Sequence, residues 1–183
     1  VKEAGIPSVG VLHSDDEATK RLIDVFCRSG SPFLLDGVVA VSRAIADQAV
    51  AVHPGIRVAT IPCGVPIPES LVAAPQDTLR LAYFGRIVQE QKRILDVARA
   101  FARVSLEVPR VECHIWGNGS EDEAVRRLLE AEPGGTRVRR HDAIPADEVY
   151  ARLREHDVIV LLSDYEGTPT TVEERQDAIE HVY

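Results

Sequence analysis

Two glutamates near the end of the chain, Glu166 and Glu174, have seven residues between them. The apolar, β-branched run from Asp157 to Leu162 predicts a preceding strand buried on both faces. Thr168 followed by Pro169 predicts a helix start just after the turn, because threonine caps helices and proline suits their first position. Helix N–H groups favour phosphate, and carboxylates accept hydrogen bonds from hydroxyls. The pattern suits an elongated ligand with phosphate and polyol groups, and a capped helix with solvated acids is the alternative.

Two basic residues follow another predicted strand. Arg86 and Lys92 come after Leu79–Phe84, at the start of the next predicted helix. In a parallel sheet they would reach the same carboxyl edge as the two glutamates, where two cations could neutralise a diphosphate. The alternative is that both are ordinary solvated surface groups.

A glycine turn lies between the next predicted strand and helix. Gly117 and Gly119 flank Asn118, but the third glycine of a dinucleotide-binding fingerprint is replaced by Asp122. This disfavours a classical NAD site. The glycines could let the backbone approach a ligand closely, and a plain tight turn explains them equally well. In the first half of the chain, His13 follows a predicted strand, where a structural histidine is the ordinary interpretation.

Composition excludes several classes of protein. The chain has 183 residues, a net charge of -8, 45% hydrophobic and 27% charged residues, typical of a soluble globular protein and unlike a nucleic-acid binder. No apolar stretch approaches the roughly 20 residues of a membrane helix. Three cysteines and six histidines are scattered along the sequence, which argues against a metal site and indicates reduced thiols in a cytosolic protein. The chain contains no Met, so we expect a fragment or an incomplete sequence.

Strands and helices alternate along the whole chain, which predicts a parallel α/β architecture. Proline-rich residues after Ile61 predict a linker up to about Thr78. The predicted strands are Ser8–Leu12, Gly37–Val41, Arg57–Ile61, Leu79–Phe84, Val111–Trp116, Thr136–Arg140 and the run from Asp157. The main predicted helices run from Ser14 to Phe26, Ala44 to Val52 and Gln91 to Ser105, with further helices beginning near Ser120 and Pro145.

Five segments occur in an order that resembles the nucleotide-sugar-dependent glycosyltransferases of family 4, the retaining enzymes of GT-B fold. The segments are Val39-Ala40-Val41-Ser42, Ile61-Pro62-Cys63-Gly64-Val65, Tyr83-Phe84-Gly85-Arg86 with Lys92, Trp116-Gly117-Asn118-Gly119, and Ser163 through Glu174 with its paired glutamates. The chain departs from the family pattern at Cys63, usually asparagine, at Arg93, usually glycine, and after Glu174.

The resemblance implies two Rossmann-like parallel-sheet domains of GT-B type. Residues 1–65 would be the C-terminal part of the first, acceptor-side domain, 66–78 the linker, and 79–183 an apparently incomplete donor-binding domain. Carried over by position, the resemblance implies catalytic roles for Glu166, Arg86, Lys92 and His13. Arg86 and Lys92 would hold the donor diphosphate, Glu166 would contact the transferred sugar, and His13 would lie near sugar and acceptor. Donor binding would also involve Gly85, Gly117, Gly119, Gly167, Thr168 and Thr170, with Glu174 on the ribose hydroxyls.

The implied reaction moves a hexose from a nucleotide diphosphate-sugar, such as a UDP-sugar, to an acceptor hydroxyl with retention of anomeric configuration. No metal or other cofactor is expected. The acceptor would be a saccharide, a lipid-linked molecule or another small molecule. The enzyme would act in the cytoplasm or in peripheral contact with the inner face of the membrane. No nucleic-acid partner is expected. A non-catalytic nucleotide-sugar-binding module or fragment, and a GT-B sugar phosphorylase, are the alternatives. The sugar, the base and the acceptor cannot be read from the sequence.

Overall fold

A computed structural model describes residues 4–64 and 77–166. The chain forms two compact units, each built around its own parallel sheet. The first contains residues 4–64 together with Tyr165 and Glu166, and the second contains residues 77–164. The predicted α/β class is confirmed, with strands and helices alternating in both units.

The first unit has a three-stranded sheet in the order β1-β2-β3. Its elements are β1 (Val9–Leu12), α1 (Glu17–Phe26), β2 (Gly37–Ala40), α2 (Arg43–Val52) and β3 (Val58–Thr60). Two side chains cap its helices, as their types predict. The Asp16 carboxylate accepts the Thr19 N–H at 2.6 Å, and the Ser42 hydroxyl accepts the Ile45 N–H at 3.4 Å.

The second unit has a four-stranded parallel sheet in the order β6-β5-β4-β7. Its elements are β4 (Leu79–Phe84), α3 (Gln89–Lys92), α4 (Ile94–Glu107), β5 (Val111–Trp116), α5 (Asp122–Ala131), β6 (Val138–His141), α6 (Ala146–Leu153) and β7 (Val158–Ile159). The loops that follow β4, β5 and β6 meet at one edge of the sheet, because all four strands run in the same direction.

The alternation of side chains along the strands divides the second unit into two cores. Tyr83 and Ile115 point to one face and pack with Phe101 of α4 and Val125 of α5. Phe84 points to the other face and packs with Leu153 of α6. The three helices therefore cover both faces, and β5 also projects polar residues toward the α6 side.

Three predicted elements were partly wrong. The helix predicted from Gln91 to Ser105 is broken at Arg93, which has φ 51° and ψ 42°. Residues 135–137 form a short 3-10 turn, so β6 begins only at Val138. The run after Asp157 is not a strand buried on both faces. Among the described residues β7 pairs with β4 alone, and Val158 is 41% exposed.

The longest helix of the second unit, α4, has 14 residues. Within residues 4–64 and 77–166, no helix combines the length and the hydropathy that a bilayer crossing requires.

Candidate functional site

A cavity of about 330 Å³ lies at the carboxyl edge of the second sheet. Phe84 ends β4 and Trp116 ends β5, and their rings stack with centroids 5.8 Å apart. The two rings form an apolar wall of the cavity, and the Arg86 side chain and backbone of the loops after β4 and β5 complete its lining. It is lined by Phe84, Gly85, Arg86, Trp116, Gly117, Asn118, Ala143, Ile144 and Val149. The carboxyl edge of a parallel sheet is where α/β proteins bind their ligands.

Close backbone packing joins the loops after β4 and β5. A Cβ atom at Gly117 would lie 1.8 Å from the Gly85 carbonyl oxygen, and one at Gly119 would lie 2.3 Å from the Ile87 carbonyl oxygen. The Ile87 N–H donates to the Asn118 carbonyl at 3.0 Å, and the Gly85 N–H donates to the Trp116 carbonyl at 3.1 Å. The two glycines in the second loop are therefore required by a neighbouring loop of the protein. A direct role for Gly85, Gly117 or Gly119 in donor binding stays a prediction.

Asp122 occupies the start of α5, where a dinucleotide fold would have glycine. Its carboxylate accepts the Gly119 N–H at 3.0 Å and pairs with the guanidinium of Arg140, whose side chain is 8% exposed. Burial alone would raise the pKa of Asp122, but the hydrogen bonds from Gly119 and Arg140 outweigh it and lower the pKa. Because a carboxylate already uses this N–H, the helix start is a poor phosphate site.

Arg86 is exposed at the rim of the cavity. Its guanidinium donates to the Gln91 side-chain oxygen, and its carbonyl accepts the Tyr83 hydroxyl at 2.7 Å. The buried tyrosine thus fixes the turn, while the glutamine directs the side chain. Sequence reasoning predicted Arg86 but missed Gln91, since an isolated glutamine gives no signal of its own.

Lys92 is half-buried at the end of α3, in the same unit as Arg86. The next residue, Arg93, has the left-handed conformation that glycine adopts most easily. This explains why glycine is usual there in the family that the chain resembles. The Arg93 guanidinium contacts Asp96 at 3.0 Å and Asp164 at 3.4 Å, tying α4 to the segment that leads toward Glu166.

The predicted residues that the structure describes are divided between the two units. His13 is exposed in the loop after β1 of the first unit, and Glu166 is half-buried and groups with the first unit as well. Four further predicted residues, Gly167, Thr168, Thr170 and Glu174, lie outside the described residues.

Three histidines that are scattered in the sequence lie together on the α6 face of the second sheet. His114 Nδ1 and His141 Nε2 are 3.0 Å apart, and the His114 and His156 ring centroids are 4.8 Å apart. The histidines are dispersed in the sequence, and the fold of the second unit brings these three together. In the described part of the chain, no three or more histidine, cysteine or acidic side chains are arranged to hold a metal ion. We call His114, His141 and His156 the histidine cluster.

Comparison with solved structures identifies the fold as GT-B. A mutant of S. aureus TarM, solved with fondaparinux, alpha-GlcNAc-glycerol and UDP, matches 94% of this chain with a TM-score of 0.72 and 18% identity. Anabaena Alr3699/HepE with UDP-glucose matches 96% with a TM-score of 0.71 and 16% identity. The apo lipopolysaccharide outer core galactosyltransferase WaaB matches 79% with a TM-score of 0.64 and 26% identity.

The chain spans only part of each of these proteins: 35% of TarM, 52% of HepE and 41% of WaaB. No curated protein sequence matches it. A family model described as glycosyl transferases group 1 matches residues 78–178, which are more than half of the chain and include the cavity at the carboxyl edge. This chain therefore belongs to the glycosyl transferases group 1 family.

Proposed function

We propose that this chain binds the donor in a retaining glycosyltransferase, which moves a hexose from a nucleotide diphosphate-sugar to an acceptor hydroxyl. The observation that carries the proposal is Arg86 at the rim of an apolar cavity on the carboxyl edge of a parallel sheet. The family membership and the GT-B fold support glycosyl transfer from a nucleotide-sugar.

The cavity has the chemistry that a nucleotide needs. The stacked rings of Phe84 and Trp116, together with Ile144, give a nucleobase an apolar surface. Arg86 would contact the diphosphate with its planar guanidinium, which suits phosphate oxygens. Lys92 would add a second positive charge. Together they would offset the charge that develops on the departing nucleoside diphosphate, so we expect no requirement for a metal.

The remaining roles are proposed from the family resemblance. Glu166 would contact the transferred sugar, and Glu174 would accept hydrogen bonds from the ribose hydroxyls. His13 would lie near the reacting sugar and the acceptor. The acceptor is proposed to be a saccharide or another molecule that presents a free hydroxyl.

Donor binding is tested by calorimetric titration of the chain with UDP, with EDTA in the buffer. Arg86→Ala should weaken UDP binding by about 1.5–3 kcal/mol, roughly 10- to 100-fold, because a charge-assisted phosphate contact is lost. The matched control is Arg103→Ala, which removes an arginine paired with Glu107 on the exposed surface of α4. An Arg86→Ala variant that binds UDP like the wild type would contradict the assignment of this cavity.

Transfer is measured with the natural full-length protein, using proton NMR to follow the anomeric configuration of the product. Retention requires the product to keep the configuration of the donor. Inversion would rule out the retaining mechanism, while donor binding without transfer would favour a binding module.

A further inference from the structure

The histidine cluster forms one side of a second cavity, of about 340 Å³, on the α6 face of the sheet. His114 projects from β5, His141 ends β6, and His156 follows α6. His114 and His156 are 8% and 3% exposed, so the cluster is largely shielded from water. The neighbouring strands β5 and β6 bring His114 and His141 together, and the end of α6 adds the third ring.

The contacts of the ring nitrogens favour one arrangement of protons in the neutral cluster. His114 Nε2 faces the Glu112 carboxylate at 3.5 Å, so the proton of this ring belongs on Nε2. His114 Nδ1 is then an acceptor, and His141 Nε2–H donates to it at 3.0 Å. His156 Nδ1–H donates to the Arg152 carbonyl at 2.8 Å. The buried His114 Nε2 atom makes no hydrogen bond, so hydrogen bonding satisfies the neutral cluster only in part.

The cluster contacts the wall of the carboxyl-edge cavity through two rings, because His156 lies edge-on to Phe84 with centroids 5.5 Å apart and His141 stacks on Trp116. Trp116 lies opposite His141 in the strand register, and the two rings stack with centroids 3.8 Å apart and planes 8° apart. The other side of Trp116 meets Phe84 in the cavity wall. The indole therefore lies between the histidine cluster and the candidate donor site.

Charged groups surround the cluster on every element packed against it. The guanidiniums come from β4, β6 and α6, and Glu112 and Glu155 pair with two of them. A further positive charge on a histidine would face these guanidiniums. The charged groups are Arg80 on β4, Glu112 on β5, Arg139 and Arg140 on β6, Arg152 on α6, and Glu155 and Asp157 after α6.

We propose that His141, held by His114, which in turn packs against His156, is a positioning residue for Trp116, and that protonation of the histidine cluster displaces this indole and weakens donor binding at the carboxyl edge. The first part stands on the contacts of the second unit alone. The effect on the donor rests on the proposed function.

The direction of the pH response follows from the surroundings of the rings. Burial, followed by the charges of His156 and His141, lowers the pKa of His114 to about 4. Burial is also the largest cause that lowers the pKa of His141 and of His156 from the ordinary value of 6.5. The neutral cluster therefore persists at neutral pH, and protonation begins below pH 6.5 and opposes the packed arrangement.

The chain contains one tryptophan, so its fluorescence reports on Trp116 alone. The Trp116 emission should change when the wild-type chain is titrated from about pH 7.5 to 4.5. A protonated imidazole at His141 quenches the fluorescence of the stacked indole and changes its packing. His141→Phe keeps a flat ring against Trp116 but cannot take up a proton, so this change should be largely lost. His53→Gln, which alters a histidine of the first unit, should titrate like the wild type. An unchanged titration in His141→Phe would overturn the proposal.

A second measurement uses the wild type alone, so its result does not depend on whether the His141→Phe variant folds. The indole Nε1–H gives one proton NMR signal, which should shift as the histidine ring signals titrate below pH 6.5. An indole signal that stays fixed while those rings titrate would also overturn the proposal.

The proposed effect on donor binding is tested by comparing UDP affinities at about pH 7.5 and 5.0. The wild type should lose about fivefold more affinity on acidification than His141→Phe, the lower end of coupling between linked sites. Comparing the two proteins at equal pH removes the contribution of UDP's own phosphate ionisation. Absence of UDP binding at both pH values would contradict the proposed function and leave the fluorescence result standing. Equal losses in the two proteins would refute the effect on the donor.

Discussion

Replacing Gly117 with alanine should force apart the two loops that form the floor of the carboxyl-edge cavity. Gly117 has φ 139°, and an added Cβ would lie 1.8 Å from the Gly85 carbonyl oxygen. An ordinary contact begins at 3.4 Å, so one loop must move by 3.4 − 1.8 = 1.6 Å. The obstructing atom belongs to the backbone, which cannot rotate away as a side chain can.

The cost of this movement can be worked from the contacts that it breaks. Of the three backbone hydrogen bonds between the loops, two flank Gly117: Gly85 N–H to the Trp116 carbonyl at 3.1 Å and Ile87 N–H to the Asn118 carbonyl at 3.0 Å. Each contributes about 0.5–1.5 kcal/mol, and the unfavourable φ adds about 1 kcal/mol for a residue with a Cβ. The free energy of unfolding of the second unit should therefore fall by about 2–4 kcal/mol.

Urea unfolding followed by Trp116 fluorescence measures this loss, because the only tryptophan lies at the end of β5. The control is Gly64→Ala in the first unit. A Cβ there would meet nothing within 4 Å, so its cost should be about 0.5 kcal/mol or less. If the two variants lost equal stability, close backbone packing would not be the reason for Gly117.

Two further predictions concern the candidate site and its surroundings. Glu174→Ala should weaken binding of UDP and intact donor alike, whereas Glu166→Ala should depress transfer and leave UDP affinity nearly unchanged, because contacts to the reacting sugar can strengthen in the transition state. Equal loss of UDP affinity in calorimetry would contradict this division. Stability of the second unit should decrease as pH falls below 6.5, since the folded histidine cluster binds protons more weakly than the unfolded chain. With the pKa of His114 at about 4, that ring alone accounts for about 3 kcal/mol once pH falls below 4. Urea midpoints that do not change between about pH 7 and 5 would refute it.

Local sequence signals predicted most of the fold. Apolar runs between glycine, proline and capping residues identified the strands, and the helix start at Ser42 follows from side-chain chemistry that acts within three residues. The position of Arg86 near the carboxyl end of β4 was predictable for the same reason, and its role in donor binding stays a prediction. These features depend on neighbours in the sequence, which is why they could be read from it.

Features that depend on neighbours in space were missed. His114 and His141 are 27 residues apart, and only the register of β5 against β6 brings their rings together. The break between α3 and α4 has no proline or glycine to mark it, because Arg93 adopts the left-handed conformation itself. The exposure of Val158 depends on which strands flank β7, and composition does not contain that information.

Asn118 joins three loops at the carboxyl edge. Its carbonyl accepts the Ile87 N–H at 3.0 Å, and its side-chain oxygen accepts the Ala143 N–H at 3.1 Å. The loops after β4, β5 and β6 are thus held in place by the protein's own bonds. Fixing one residue's backbone costs about 1–2 kcal/mol of conformational entropy, and here folding has already incurred that cost. A ligand entering this cavity meets a preorganised floor, so most of its contact energy can appear as affinity.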